Sequence, residues 1–132
     1  MINISISNQI SWKELDENEI KKVAEDALLR LRIKNDLVLE VIFVEAEEIR
    51  KLNKKYRGID KPTDVLSFPQ THFKESKLNI LGSIVICLDV AEERAIPIEE
   101  LIKHGILHLL GYDHEIDEPL WEKASKKINC EY

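Results

Sequence analysis

Three of the chain's four histidines fall in one short run, KHGILHLLGYDHE at 103–115, spaced H-x-x-x-H-x-x-G-x-x-H. On a helix, positions i and i+4 share a face about one turn apart, so His104 and His108 point side by side and can share one metal ion. Gly111 lets the chain leave the helix through a backbone conformation closed to most residues, and the turn Tyr112-Asp113 brings His114 back toward the pair. Three imidazoles at about 2.0–2.1 Å from a zinc ion leave a fourth tetrahedral position open, which marks a catalytic rather than a structural ion. Water there can lose its proton near about pH 7. The more ordinary reading is three unrelated histidines with satisfied hydrogen bonds. Agreement of all three with one template, and a glycine where that template turns, favours one zinc ion per chain on His104, His108 and His114, though three imidazoles also suit nickel or copper.

Zinc proteases with this spacing carry a glutamate directly after the first histidine, where it serves as general base, and here that position is Gly105. Glu115 is a candidate substitute, whereas Asp113 fits better as an orienting group for a ligand or a turn cap. A phosphodiester depends less on such a base, because metal and cations stabilise the charge that develops on phosphoryl oxygens. A cationic stretch, RKLNKKYRGIDK at 50–61, carries six Lys or Arg against Asp60 alone. Within it, Arg57 can grip two phosphate oxygens at once; the competing reading is a solvated cation at a helix end. Lys51, Lys54 and Lys55 divide between a wet helix face and contact with a nucleic acid. Tyr56 and Phe68 can stack on unpaired bases but fit the core better. His72 reads as a surface residue, and Thr63-Asp64 as a turn bonding its own backbone, outside the site.

The elements that must position these groups follow from periodicity. Ile2, Ile4 and Ile6 alternate with polar residues, predicting a first strand. Ser11-Trp12-Lys13-Glu14 has the form of a capping box, and the apolar spacing predicts a helix over about 12–32. LVLEVIFV at 37–44 predicts a strand covered on both faces. A helix over 46–56 turns Ile49, Leu52 and Tyr56 inward and ends at Gly58. PTDVLSFP at 62–69, proline at each end, predicts an edge strand, and QTHFKESK a surface loop. ILGSIVICL at 80–88 predicts another strand, with Asp89 capping a short helix. Pro97 opens the helix that carries His104 and His108, which Gly111 stops. A last helix over about 117–129 packs through Leu120, Trp121, Ala124 and Ile128. The expected fold is one α/β (α+β) domain over 1–132, a small, mostly parallel or mixed sheet against a helical layer.

The 132 residues carry a net charge of −6, which argues against indiscriminate polyanion binding, so any nucleic-acid contact must be local to the cationic stretch. No run approaches the roughly 20 apolar residues of a membrane span, so no membrane association is expected. Cys87 and Cys130 fit a reducing compartment, and MINISISNQI has neither the basic start nor the apolar run of a secretory signal; the expectation is a cytoplasmic protein. Nothing in the residues points to an oligomeric state.

HGILHLLGYDH, LNKKYRGIDKPTDVLSFP at 52–69 and LGSIVI at 81–86 together resemble the YbeY family of bacterial single-strand-specific endoribonucleases. The resemblance implies zinc on His104, His108 and His114, and an essential arginine matching Arg57. It implies action on ribosomal RNA, notably the 3′ end of the small-subunit RNA, in maturation and in ribosome quality control, with the small subunit as partner. Members usually have Asp where this chain has Ser83, and the segment between Ala91 and His104 is shorter here. The residues leave two rivals: a zinc peptidase or other metal hydrolase using Glu115, and a non-catalytic ribosome-binding factor with a structural zinc.

Overall fold

The structure, a computed structural model, describes residues 2–10, 13–33, 36–69 and 80–132. Its frame is a four-stranded mixed sheet of order β1-β2-β4-β3. β1 (Ile2–Asn8), β2 (Leu37–Phe43) and β4 (Ile80–Ile86) run parallel, and β3 (Val65–Pro69) lies antiparallel to β4 at the open edge. Pro69 ends that edge strand, where a missing backbone donor breaks no ladder.

Alternation along the strands divides the core. Ile84 and Ile86 of β4, Val65 of β3 and Leu37, Leu39, Val41 and Phe43 of β2 pack with α1 (Glu17–Arg30), α4 (Ile98–Leu109) and α5 (Glu118–Lys127). Val85 and Leu66 face the other way, onto Ile49 and Leu52 of α2 (Ala46–Arg57) and Val90 of α3 (Leu88–Glu93). The result is a single α+β domain with helices packed against its mixed sheet, α1, α4 and α5 on one face and α2 and α3 on the other. Among the described residues no helix is long and apolar enough to cross a membrane.

Several expected boundaries move. α1 begins at Glu17 rather than 12, with Asp16 Oδ1 accepting from Glu19 N at 3.1 Å. Ser11 and Trp12 of the expected capping box lie outside the described residues, as do the QTHFKESK loop and His72. β2 is fully buried only on the Leu37, Leu39, Val41, Phe43 side; Glu40 on the other face is half-buried and accepts from the Ser83 hydroxyl at 3.1 Å. Asp89 sits in the first turn of α3 without a side-chain cap, and Pro97 stands one residue outside α4 as its N-cap. Leu120 is exposed because Trp121, Ala124 and Ser125 are the inward stripe of α5.

Candidate active site

At the β3 edge the two helical layers meet around a cavity of about 610 Å³. β3 lines it, with Tyr56 and Arg57 from the end of α2, His104 and His108 from α4, residues 113–115 from the turn after α4, and Tyr132. Gly58 ends α2 with φ 72, its N–H donating to Lys54 O, so Arg57 is the last helical residue. α4 closes with the paired bonds Tyr112 N to Leu107 O and Gly111 N to His108 O, with Gly111 at φ 93, a left-handed exit that a β-branched residue would resist. That exit carries residues 113–115 to the cavity.

His104 and His108 stand one turn apart with their Nε2 atoms 3.1 Å apart. Burial pulls the His104 pKa to about 4, with the neighbouring His108 adding to the effect and Asp64 opposing it. Burial also lowers the pKa of His108, and the Arg57 charge acts in the same direction. Both rings are therefore neutral near pH 7, with lone pairs free for a metal ion or for one bond between them. His114 is exposed on the turn and lines the same cavity. Trp121 of α5 touches all three rings, with centroid distances of 5.3 Å to His104, 5.1 Å to His108 and 5.4 Å to His114. The three imidazoles thus gather on one indole, although among the described residues no group of three His, Cys, Asp or Glu side chains is close enough to hold a metal as it stands. The donor set fits a metal ion in one respect above all: two neutral nitrogens already lie near the edge length of about 3.3 Å that two imidazoles subtend at one zinc. In another respect it departs from usual metal histidines, since among the described residues His104 Nδ1 is buried without a hydrogen-bond partner that would fix its tautomer.

Arg57 lines the same cavity as the histidines and acts electrostatically on His108, and it is the only cation of 50–61 lining it among the described residues. Arg50 is held by Glu47 and Asp60, and Lys54 lies 3.8 Å from Asp60. The cationic stretch is therefore partly neutralised by its own neighbours. Asp113 Oδ1 accepts from Glu115 N at 2.8 Å, the turn-capping role among those expected.

Four outcomes depart from sequence reasoning. Gly105 is a packing position: a Cβ there would meet three side-chain atoms of buried Ile84 at 2.8, 2.9 and 2.9 Å, so the glutamate of the protease template has no room. Ser83 lies outside the cavity lining; Ile84 points at α4, so Ser83 points to the opposite sheet face, where its hydroxyl donates to Glu40. Tyr56 is 58 % exposed rather than in the core, and Phe68 is half-buried. Asp64 does bond local backbone, accepting from Val65 N at 2.8 Å, but it is 1 % exposed and also lines the cavity. Its Oδ2 accepts from the Tyr132 hydroxyl at 2.7 Å and pairs with Arg94 at 3.4 Å. The Tyr132 ring stands edge-on to His104 at 4.2 Å, so the segment after α5 braces the first histidine. An acid directly before the apolar run VLSF was a readable signal for Asp64; nothing local marked Tyr132.

The family model described as Endoribonuclease YbeY matches residues 3–129. A protein named Endoribonuclease YbeY from Sulfurihydrogenibium sp. is 38% identical, the match covering 97% of this chain and 93% of the relative. One of the same name from Aquifex aeolicus is 45% identical over 81% of this chain and 75% of its own length. The solution structure of TM1509 from Thermotoga maritima superposes with a TM-score of 0.54 at 30% identity, covering 97% of this chain and 87% of that one.

Proposed function

The chain belongs to the YbeY family of endoribonucleases, and from that premise we propose that it is a zinc-dependent, single-strand-specific endoribonuclease with His104, His108 and His114 as ligands and Arg57 as catalytic residue. Membership makes it a metal-dependent nuclease that hydrolyses RNA phosphodiester bonds. The observation that carries the finer reading is one cavity lined by a pair of neutral imidazoles at 3.1 Å, a third imidazole and the Arg57 guanidinium. A metal ion held by the histidines would supply Lewis acidity at the scissile phosphate. Arg57 grips the non-bridging oxygens and stabilises the charge that builds on them as the phosphorus becomes five-coordinate. The buried faces of His104 and His108, set by α4 against the sheet, hold the donor nitrogens in fixed positions. Asp64 and Tyr132 brace His104 from behind.

The biological setting proposed is ribosomal RNA maturation at the 3′ end of the small-subunit RNA and ribosome quality control, in the cytoplasm and on the small subunit. A base at position 105, where the protease template has its glutamate, has no room beside Ile84, so a peptidase would have to use Glu115, which lines the cavity; peptide hydrolysis that disappears in Glu115→Ala, with no RNA cleavage, would favour that reading. The deciding experiment compares wild type, His108→Ala and Arg57→Ala for metal content and for cleavage of single-stranded RNA. His108→Ala is expected to lose metal and activity. Arg57→Ala is expected to keep metal and lose about 100- to 1,000-fold in rate, as for removal of one transition-state donor. Full cleavage by Arg57→Ala would sink the assignment.

A further inference from the structure

The end of α2 presents a feature that metal and phosphate chemistry leave unexplained. Ile49, Leu52 and Tyr56 form one apolar stripe on the helix, yet only the first is fully buried and the last is 58 % exposed on the cavity wall. Phe68 of β3, half-buried against the α2 side of the sheet, meets the Tyr56 ring edge-on at a centroid distance of 5.0 Å and 64°. The Lys55 ammonium lies 5.1 Å from the Tyr56 ring centroid, and Arg57 follows directly in the chain. An aromatic ring braced by a second ring, exposed on a cavity that Arg57 also lines and with one ammonium near its face, has the form of a stacking platform for a base on a charged strand.

We infer that Tyr56, supported by Phe68, is a nucleobase subsite that stacks the unpaired base next to the phosphate gripped by Arg57. The inference rests on the endoribonuclease reading and deepens it. A base and its own phosphate are separated by one sugar, and Tyr56 and Arg57 line the same cavity, so one nucleotide lying in it can engage both. A base engaged in a duplex has its faces covered and cannot enter, which makes selection for single strands a property of this platform. Every base has a π-face, and the platform offers no base-edge code, so the subsite tolerates sequence.

The test measures binding of a single-stranded oligodeoxynucleotide carrying 2-aminopurine to purified wild type and to Tyr56→Ala, Tyr56→Leu and Tyr56→Trp. The fluorescence of 2-aminopurine is expected to fall on binding wild type and Tyr56→Trp. Tyr56→Ala is expected to bind about 5- to 150-fold more weakly, the worth of one stacked base. Tyr56→Leu, which keeps apolar area without a ring, should resemble Tyr56→Ala. On RNA, most of the loss should appear in KM rather than kcat, as for contacts made equally in ground and transition states. The exposed position of Tyr56 leaves the fold intact, checked by equal urea midpoints. Equal affinity and equal quenching in Tyr56→Ala would overturn the subsite, as would Tyr56→Leu behaving as wild type. Ordinary single-stranded RNA is assayed in parallel: no cleavage by wild type would overturn the nuclease reading and the subsite with it, whereas cleavage with Tyr56-independent binding overturns the subsite alone.

Discussion

Replacing Gly105 by alanine should have opposite effects on stability in two backgrounds. In a helix interior the change normally stabilises by about 1 kcal/mol, because alanine leaves the unfolded chain less freedom to lose. Here the new methyl would lie 2.8–2.9 Å from Cδ1, Cγ1 and Cγ2 of Ile84, which is fully buried on β4. Two of those atoms sit on the branched carbon of a side chain with one strongly preferred rotamer, so they cannot swing aside. Overpacking costs about 1–3 kcal/mol, and contact with three atoms of a rigid neighbour puts this site at the upper end. The net expectation in the wild type is a loss of about 1–2 kcal/mol. Ile84→Ala by itself should cost about 2–5 kcal/mol and open the space the methyl needs. In that background Gly105→Ala should stabilise by about 1 kcal/mol, and Ile84→Val, which removes only Cδ1, should relieve part of the clash. Urea unfolding followed by tryptophan fluorescence gives the four corners of the cycle. Stabilisation by Gly105→Ala in the wild type, or the same cost in both backgrounds, would refute the close approach of α4 to β4. Gly105→Glu, which rebuilds the protease template, should lose the fold before it gains a peptidase.

Further outcomes follow from the same site. His104 is held neutral with a pKa of about 4, below the ordinary 6.5 it regains on unfolding. The unfolded chain therefore takes up a proton that the fold refuses, so this contribution to the stability of metal-free protein is complete above about pH 6.5 and drains away as pH falls toward about 4. His104→Gln should flatten that slope, and an unchanged slope would refute it. Tyr132→Phe removes one donor from the buried Asp64 carboxyl and should cost about 1–2 kcal/mol in urea unfolding, tempered by the 39 % exposure of Tyr132. A variant with full stability would show that the bond bears no load. Chelation should leave a folded protein without activity, because the core around α4 is apolar and closed without an ion. Loss of the far-UV circular dichroism spectrum on metal removal would instead favour a structural zinc.

Much of the site could be read from the chain because its spacing is local. The helical repeat alone fixes His104 and His108 on one face, and a glycine at 111 fixes where that helix must stop; both hold in the structure. The edge strand with a terminal proline and the left-handed glycine ending α2 were legible for the same reason, since each depends on backbone sterics within a few residues. Tertiary packing decided everything that joins residues distant in sequence. Strand order brings α2 and α4 to the same sheet edge, so that Arg57 acts on His108. It makes one indole the common contact of three imidazoles, and it turns Asp64 from a turn residue into the buried acceptor for Tyr132. It also gives Gly105 its meaning, as the gap through which a helix reaches a strand, and leaves Tyr56 in the open at the end of an apolar stripe. Periodicity can assign a residue to a face, but what that face meets depends on strand register and layer packing, which are set by the chain as a whole.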